Sequence, residues 1–148
     1  MIKVDGGDEL NNFQRVGGTM IGGGTLLGLS NLLTGINDFD RIIELAQTGT
    51  NANVDMLVKD IYGENSPHSG LAGDLLASSF AKVAQDESNG SEAAANLREK
   101  YRQEDVLASL VTMISFNIGQ LAFYTAKLHN IKNIYFVGNY VRHNLLAQ

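Results

Sequence analysis

Gly17-Gly18-Thr19-Met20-Ile21-Gly22-Gly23-Gly24-Thr25-Leu26-Leu27-Gly28 is the stretch on which the reading of this chain turns. It holds six of the 16 glycines, and its only side chains with polar chemistry are two threonine hydroxyls. Glycines this dense let a backbone turn sharply and bring its N–H groups close to another surface. Directly after them, Thr25-Leu26-Leu27-Gly28-Leu29-Ser30-Asn31-Leu32-Leu33 is a helical pattern closed by Gly35. A glycine loop that opens a helix aims free N–H groups and the positive end of the helix dipole at one place, which suits a phosphate or another anion. A bare strand-to-helix turn has the same sequence pattern. The stretch is not a P-loop, because no Lys-Ser or Lys-Thr follows its last glycine. Its spacing also departs from the dinucleotide-binding fingerprint.

Composition narrows the classes around that loop. A chain of 148 residues with 44% hydrophobic and 18% charged residues is long enough for one domain with a real core. A net charge of −5 argues against a nucleic-acid footprint, which would be basic. No apolar run reads as membrane-spanning and no basic-then-apolar leader opens the chain, so the cytoplasm is the expected location. With no cysteine there is neither a disulfide nor a thiolate metal site.

On the N-terminal side of the loop, Met1-Ile2-Lys3-Val4 and Phe13-Gln14-Arg15-Val16 predict a hairpin turned by Asp5-Gly6-Gly7-Asp8. That hairpin delivers Arg15 beside the glycines, either as a solvated strand residue or as an anion ligand. On the C-terminal side, Asn37-Asp38 predicts the cap of a helix from Phe39 to Gln47, with Ile42, Ile43, Leu45 and Ala46 buried. Val54, Leu57, Val58 and Ile61 fit a further helix before Gly63 better than a strand, with an extended C-terminal half as the alternative. A loop follows, with Pro67 and His68, and then a small-residue helix over 71–83. Within it, Ala77-Ser78-Ser79 offers a close-packing face or hydroxyls for a ligand.

Residues 85–103 are the most polar part and are expected to form an exposed insertion with a short surface helix. From Glu104 to about Leu128 apolar residues recur at helical spacing, predicting the longest helix, buried or at an interface. Asn117 and Gln120 are its polar exceptions, expected to bond to neighbouring loops. Ile134-Tyr135-Phe136-Val137 is an apolar run of the buried-parallel-strand type, ended by Gly138-Asn139. Residues 140–148 predict the first turns of a helix. Strand, turn and helix start make a second ligand rim of the kind open α/β sheets place at strand ends. His68, His129 and His143 lie far apart without metal-ligand spacing, and no catalytic set is visible.

Several blocks together resemble the eukaryotic-type (type II) pantothenate kinases. They are Arg15 to Thr25 with Gly28-Leu29 and Leu32-Leu33-Thr34-Gly35; Asn53-Val54-Asp55 with Leu57-Val58-Lys59-Asp60-Ile61-Tyr62-Gly63; Ala77-Ser78-Ser79-Phe80; Asn117-Ile118-Gly119; and Phe136-Val137-Gly138-Asn139 with Arg142 and Asn144. Order and spacing hold everywhere except the polar insertion. The resemblance implies an α/β fold, a partial lobe of the actin-like, sugar-kinase-like ATPases. In that family two such lobes hold ATP between them, and pantothenate is phosphorylated in the first step of coenzyme A synthesis. Acetyl-CoA and other CoA thioesters regulate the reaction, and active members are homodimers.

Carried over onto matching positions, the resemblance gives Gly22, Gly23, Gly24 and Thr25 to the nucleotide. It gives Arg15 to pantothenate or acetyl-CoA, Phe39 to the nucleotide's surroundings, and Gly138-Asn139 to the second nucleotide rim. The family's N-terminal Asp-x-Gly-Gly-Thr phosphate hairpin, its glutamate base and its closing Glu-Gly-Tyr-Phe-Gly-Ala segment have no counterpart among these residues. So the resemblance implies an internal piece of the second lobe over 1–148, with ATP and Mg2+ as cofactors, no catalytic residue, and no ligand for the Mg2+. The isolated chain is expected to be inactive; the alternative is a non-catalytic regulatory or dimerisation module. The strand that should lie between the hairpin and Ile134-Tyr135-Phe136-Val137 is also without a counterpart, leaving both with unpaired edges.

Overall fold

The computed structural model describes residues 1–3, 12–63, 70–85 and 99–142. Outside them lie the Asp5-Gly6-Gly7-Asp8 turn, Pro67, His68, most of the polar insertion, and residues 143–148 of the expected last helix. Apolar spacing and caps account for the three helices that carry the core. α1 (Gly23–Thr34) starts at Gly22 and stops at Gly35, whose φ of 78° is the left-handed position that favours glycine. α2 (Phe39–Ala46) is capped by Asp38, whose carboxylate accepts the Arg41 N–H at 2.7 Å. The long helix, numbered α5 here, runs Gln103–Leu128 and opens with Glu104 and Asp105 at the positive end of its dipole.

The core forms where these three meet. Leu26 of α1, Ile42, Ile43, Leu45 and Ala46 of α2, and Leu107, Leu110, Val111 and Ile114 of α5 make one buried cluster. α5 lies chiefly against α2, then against a 3₁₀ turn at Asn51–Asn53, then against α1. By length and apolar content α5 is also sufficient to cross a membrane, which the sequence reading had excluded. Its first half nonetheless carries the core.

Two polar anchors set α5 against the 3₁₀ turn. Asp105 is buried and accepts the Thr50 N–H at 2.7 Å and the Asn53 Nδ2–H at 2.9 Å. Gly49 lies so close to the Glu104 carbonyl that a methyl group there would collide with α5 backbone. One turn further along α5, the Ser109 hydroxyl donates to fully buried Asp55. Asp55 also accepts from the Phe80 N–H and the Asn51 Nδ2–H, each at 2.9 Å. A buried carboxylate with this many donors is satisfied, and it ties three segments to α5.

The β structure consists of two small antiparallel ladders. β1 (Ile2–Lys3) pairs with β2 (Phe13–Gln14), Ile2 opposite Gln14, which is the expected hairpin. β3 (Met56–Leu57) pairs with β4 (Leu76–Ser78) and leads into α3 (Val58–Tyr62); α4 (Ala81–Ala84) follows β4. The helix expected over 54–63 therefore begins only at Val58, because Asp55 turns inward to its donors and Met56–Leu57 pair with β4. Likewise the helix expected over 71–83 is a turn, a strand and four helical residues. Ala77 and Ser78 belong to a strand edge rather than to a helix face.

The late buried strand is the larger correction. Residues 131–137 form neither helix nor strand, and Tyr135 and Val137 are 84% and 88% exposed. An extended segment becomes a strand only when a neighbour takes its N–H and C=O groups. No strand lies beside this one among the described residues. The described chain is thus mixed α/β, with small ladders and one long helix, rather than a continuous sheet.

Candidate functional site

Glycine chemistry at the start of α1 has an unusual surrounding. Of the loop glycines, 17, 18, 22, 23, 24 and 28, none has positive φ. At Gly17, Gly22, Gly24 and Gly28 a methyl group would meet nothing within 4 Å. Neither backbone conformation nor internal packing therefore requires glycine at 17, 22 or 24. The space over them is open to an approaching group. Within the first turn, Thr25 Oγ1 accepts the Gly22 N–H at 3.1 Å and donates to the Met20 carbonyl at 3.2 Å. Those bonds fold the loop over the helix start. The N–H groups of the first turn have no acceptor within their own helix, so they face outward at its positive end.

Two side chains close on this loop. Arg15 lies at its near end, with Nη2 2.9 Å from where a Cβ on Gly18 would stand. Thus the hairpin does deliver Arg15 to the glycines. Tyr140 lies at the far end, its ring 3.5 Å from where a Cβ on Gly23 would stand. The same ring meets Phe39 edge-on at 6.2 Å between centroids. Its hydroxyl is 2.8 Å from Ser115 Oγ and 3.4 Å from the Val111 carbonyl, both on α5. Burial pushes the Tyr140 phenol up from its ordinary pKa, with the Ser115 bond acting the other way.

Through Tyr140 the second rim arrives beside the first. Gly138 takes φ 111°, a conformation open to glycine and strained for other residues, and the Arg142 N–H closes the turn onto the Asn139 carbonyl at 3.2 Å. The fold thus brings Gly23, Phe39 and the Gly138-Asn139-Tyr140 turn together, with Arg15 at the loop's other end. Tyr140 and Ser115 were not among the expected site residues. Ser115 sits in an apolar helical run, and only the fold shows that its hydroxyl faces Tyr140.

Beyond Tyr140, Arg142 faces α2 across an open groove of about 410 Å³, whose other walls are Asp40, Ile43, Glu44 and Gln47. Asn117, expected to bond to a loop, instead donates to the Met113 carbonyl one turn back on α5. Gln120 is exposed. Among the described residues no three acidic or imidazole side chains cluster to hold a metal.

Known proteins similar to this chain are alike over nearly all of it. The profile of the Fumble family matches residues 1–148. A pantothenate kinase of Schizosaccharomyces pombe is 42% identical over 147 residues, 98% of this chain and 34% of the relative. Pantothenate kinase 2 of Oryza sativa is 43% identical over 143 residues, 96% of this chain and 15% of the relative. A 4'-phosphopantetheine phosphatase of Mus musculus is 44% identical over 142 residues, 96% of this chain and 16% of the relative. The chain spans about a third or less of the length of these relatives. It belongs to the Fumble family of eukaryotic-type pantothenate kinases.

Proposed function

We propose that this member of the Fumble family supplies nucleotide and pantothenate contacts for an ATP-dependent pantothenate kinase, acting at the entry to coenzyme A synthesis. The observation that carries this reading is the open glycine surface at Gly22 and Gly24 beside the Gly138-Asn139-Tyr140 turn. A triphosphate fits such a surface: glycines admit its oxygens to the backbone, and the α1 dipole favours its charge. In phosphoryl transfer the protein's work is mostly positioning and charge stabilisation. Gly22, Gly23, Gly24 and Thr25 hold the phosphates, Gly138 and Asn139 form the opposite rim, and Phe39 buttresses that rim through Tyr140. ATP with Mg2+ would supply the phosphoryl group, with the metal's ligands coming from outside these residues. The family's fold, two actin-like lobes around ATP with this chain as part of the second, agrees with the mixed α/β character of the described residues.

Arg15 is the contact for pantothenate and for CoA thioesters such as acetyl-CoA. Its guanidinium can fork onto a carboxylate or phosphate with two parallel bonds, which a lysine cannot do. Arg15→Ala, placed in a complete family member carrying this segment, is expected to lower kcat/KM for pantothenate by about ten- to a hundred-fold, since one charge-assisted bond contributes about 1.5–3 kcal/mol. Acetyl-CoA inhibition should weaken with it, and Arg15→Lys should restore part of both. Wild-type kinetics in Arg15→Ala would remove Arg15 from the site.

The isolated chain, having no glutamate base or phosphate hairpin of the family's type, is expected to bind ATP and not to phosphorylate pantothenate. Turnover by purified 1–148, free of host enzyme, would contradict this. A second reading, a non-catalytic regulatory or dimerisation module in the cytoplasm, is favoured by two observations. The same stretch occurs in a relative named for a phosphatase. In addition, Phe116, Phe123, Tyr124 and Leu128 of α5 are exposed. Light scattering with ATP calorimetry separates the readings: the module predicts a dimer of 1–148 that binds no nucleotide.

A further inference from the structure

Gly138 and Asn139 lie in a turn closed by the Arg142 N–H on the Asn139 carbonyl. Residues 131–137 approach it without helix or strand, and the Ile131 N–H on the Ala126 carbonyl is a last backbone tie to α5. Next to it, Tyr140 is half-buried and is held on several sides, its hydroxyl also reaching the Val111 carbonyl at 3.4 Å. Its ring lies against Gly23, its edge against Phe39, and its hydroxyl against Ser115 on α5. A cavity of about 90 Å³ opens beside that hydroxyl, lined by Ser115, Ile118, Gly119, Phe136, Tyr140 and Val141. A ring next to a void can shift unless something holds its tip, and the Ser115 hydroxyl at 2.8 Å does so. Ser115 in turn sits one residue past Ile114, where α5 is fully buried and rigidly seated in the core.

We propose that the Ser115–Tyr140 hydroxyl pair is a spacer that fixes the width of the gap between the glycine loop and the Gly138-Asn139 turn. Tyr140 is then a positioning residue for the nucleotide, acting through the placement of that turn, and Ser115 is its seat on the core. This rests on the nucleotide reading of the two rims. The ring supplies contact with Gly23 and Phe39, whereas the hydroxyl supplies register. A ring without a hydroxyl would keep the packing and lose the register.

Tyr140→Phe and Ser115→Ala make that separation in the full 148-residue chain. The Kd for Mg-ATP, by calorimetry, should rise about three- to ten-fold in each, as expected for loss of one hydrogen bond that orders a binding surface. Thermal unfolding midpoints should stay near wild type. The double variant should be no worse than Tyr140→Phe alone, because that substitution already removes the Ser115 bond together with the 3.4 Å bond to the Val111 carbonyl. Amide hydrogen exchange without ligand supplies a readout independent of nucleotide. Exchange at Gly138 to Val141 should quicken in both variants, while exchange at Leu107 to Val111 stays unchanged. An unchanged Kd, additive effects in the double variant, or exchange equal to wild type at Gly138 to Val141 would overturn the spacer. If wild type binds no ATP, the nucleotide reading fails and the exchange data alone decide whether the hydroxyl pair holds the turn.

Discussion

The two halves of α5 are alike in apolar content and opposite in surroundings. In the first, Leu107, Val111 and Ile114 are 0% exposed and interlock with α1 and α2. In the second, Phe123, Tyr124 and Leu128 are 56%, 59% and 78% exposed. Sequence periodicity treats both halves as one buried face. What separates them is the reach of their neighbours: α2 is eight residues long, and the apolar cluster shared with α1 and α2 takes in no α5 residue beyond Ile118. Burial is thus set by what lies opposite a helix as much as by the helix's own pattern.

Truncating each half gives the largest expected contrast. Leu110→Ala should destabilise the chain by about 2–5 kcal/mol, the usual range for emptying a core leucine site. Phe123→Ala should change stability by less than about 0.5 kcal/mol, as for an exposed residue. Urea unfolding of the two variants measures the difference, and equal losses would erase the distinction between the halves.

The polar anchors of the first half come next. Asp55→Ala leaves the Phe80 N–H, the Asn51 amide and the Ser109 hydroxyl without their acceptor. A cost of about 3 kcal/mol is expected for buried donors left unpaired. Asp55→Asn should recover part of it, because the amide oxygen can still accept. Full stability in Asp55→Ala would mean that the segments hold α5 without this carboxylate.

Asp55 also explains what the sequence hid. Val54, Leu57, Val58 and Ile61 have helical spacing, yet the helix begins only at Val58: Asp55 faces inward to Ser109 and Met56–Leu57 pair as a strand. A tertiary bond outweighed local spacing there. At 131–137 an apolar run has strand character, but strand pairing depends on a neighbour that no local pattern encodes. α1, α2 and α5 were legible because caps and periodicity are local signals: Asp38, Gly35 and the Glu104-Asp105 start all mark ends where the structure has them. Of the candidate site, the glycine loop and Arg15 were legible from composition and order. Tyr140 and Ser115 were not, since their meeting depends on packing across 25 residues of chain.

Smaller effects sharpen the comparison between the core and the site. Gly24→Ala, in the first turn of α1 with open space around it, should stabilise the chain by about 0.4–1 kcal/mol. On the proposed nucleotide reading the same methyl should weaken ATP binding, because it fills open space over the first turn of α1. Stability and affinity falling together would assign Gly24 to packing. Tyr140 adds a pH signature. Its folded pKa is raised by burial, so above about pH 10 the unfolded chain loses the phenol proton first and stability falls as pH rises. Below that pH the contribution is fully present. Tyr140→Phe should lack this alkaline decline in its unfolding midpoint, and an identical decline in both would place the cause elsewhere.

The central claim is that Gly22 to Thr25 and Gly138 to Asn139 face one nucleotide. Titrating uniformly 15N-labelled chain with Mg-ATP and following amide shifts tests it directly. Saturable shifts are expected at Gly22, Gly23, Gly24, Thr25, Gly138 and Asn139, with Phe123 to Leu128 silent. Shifts confined to the exposed half of α5, or no saturable shift at the glycines, would contradict it.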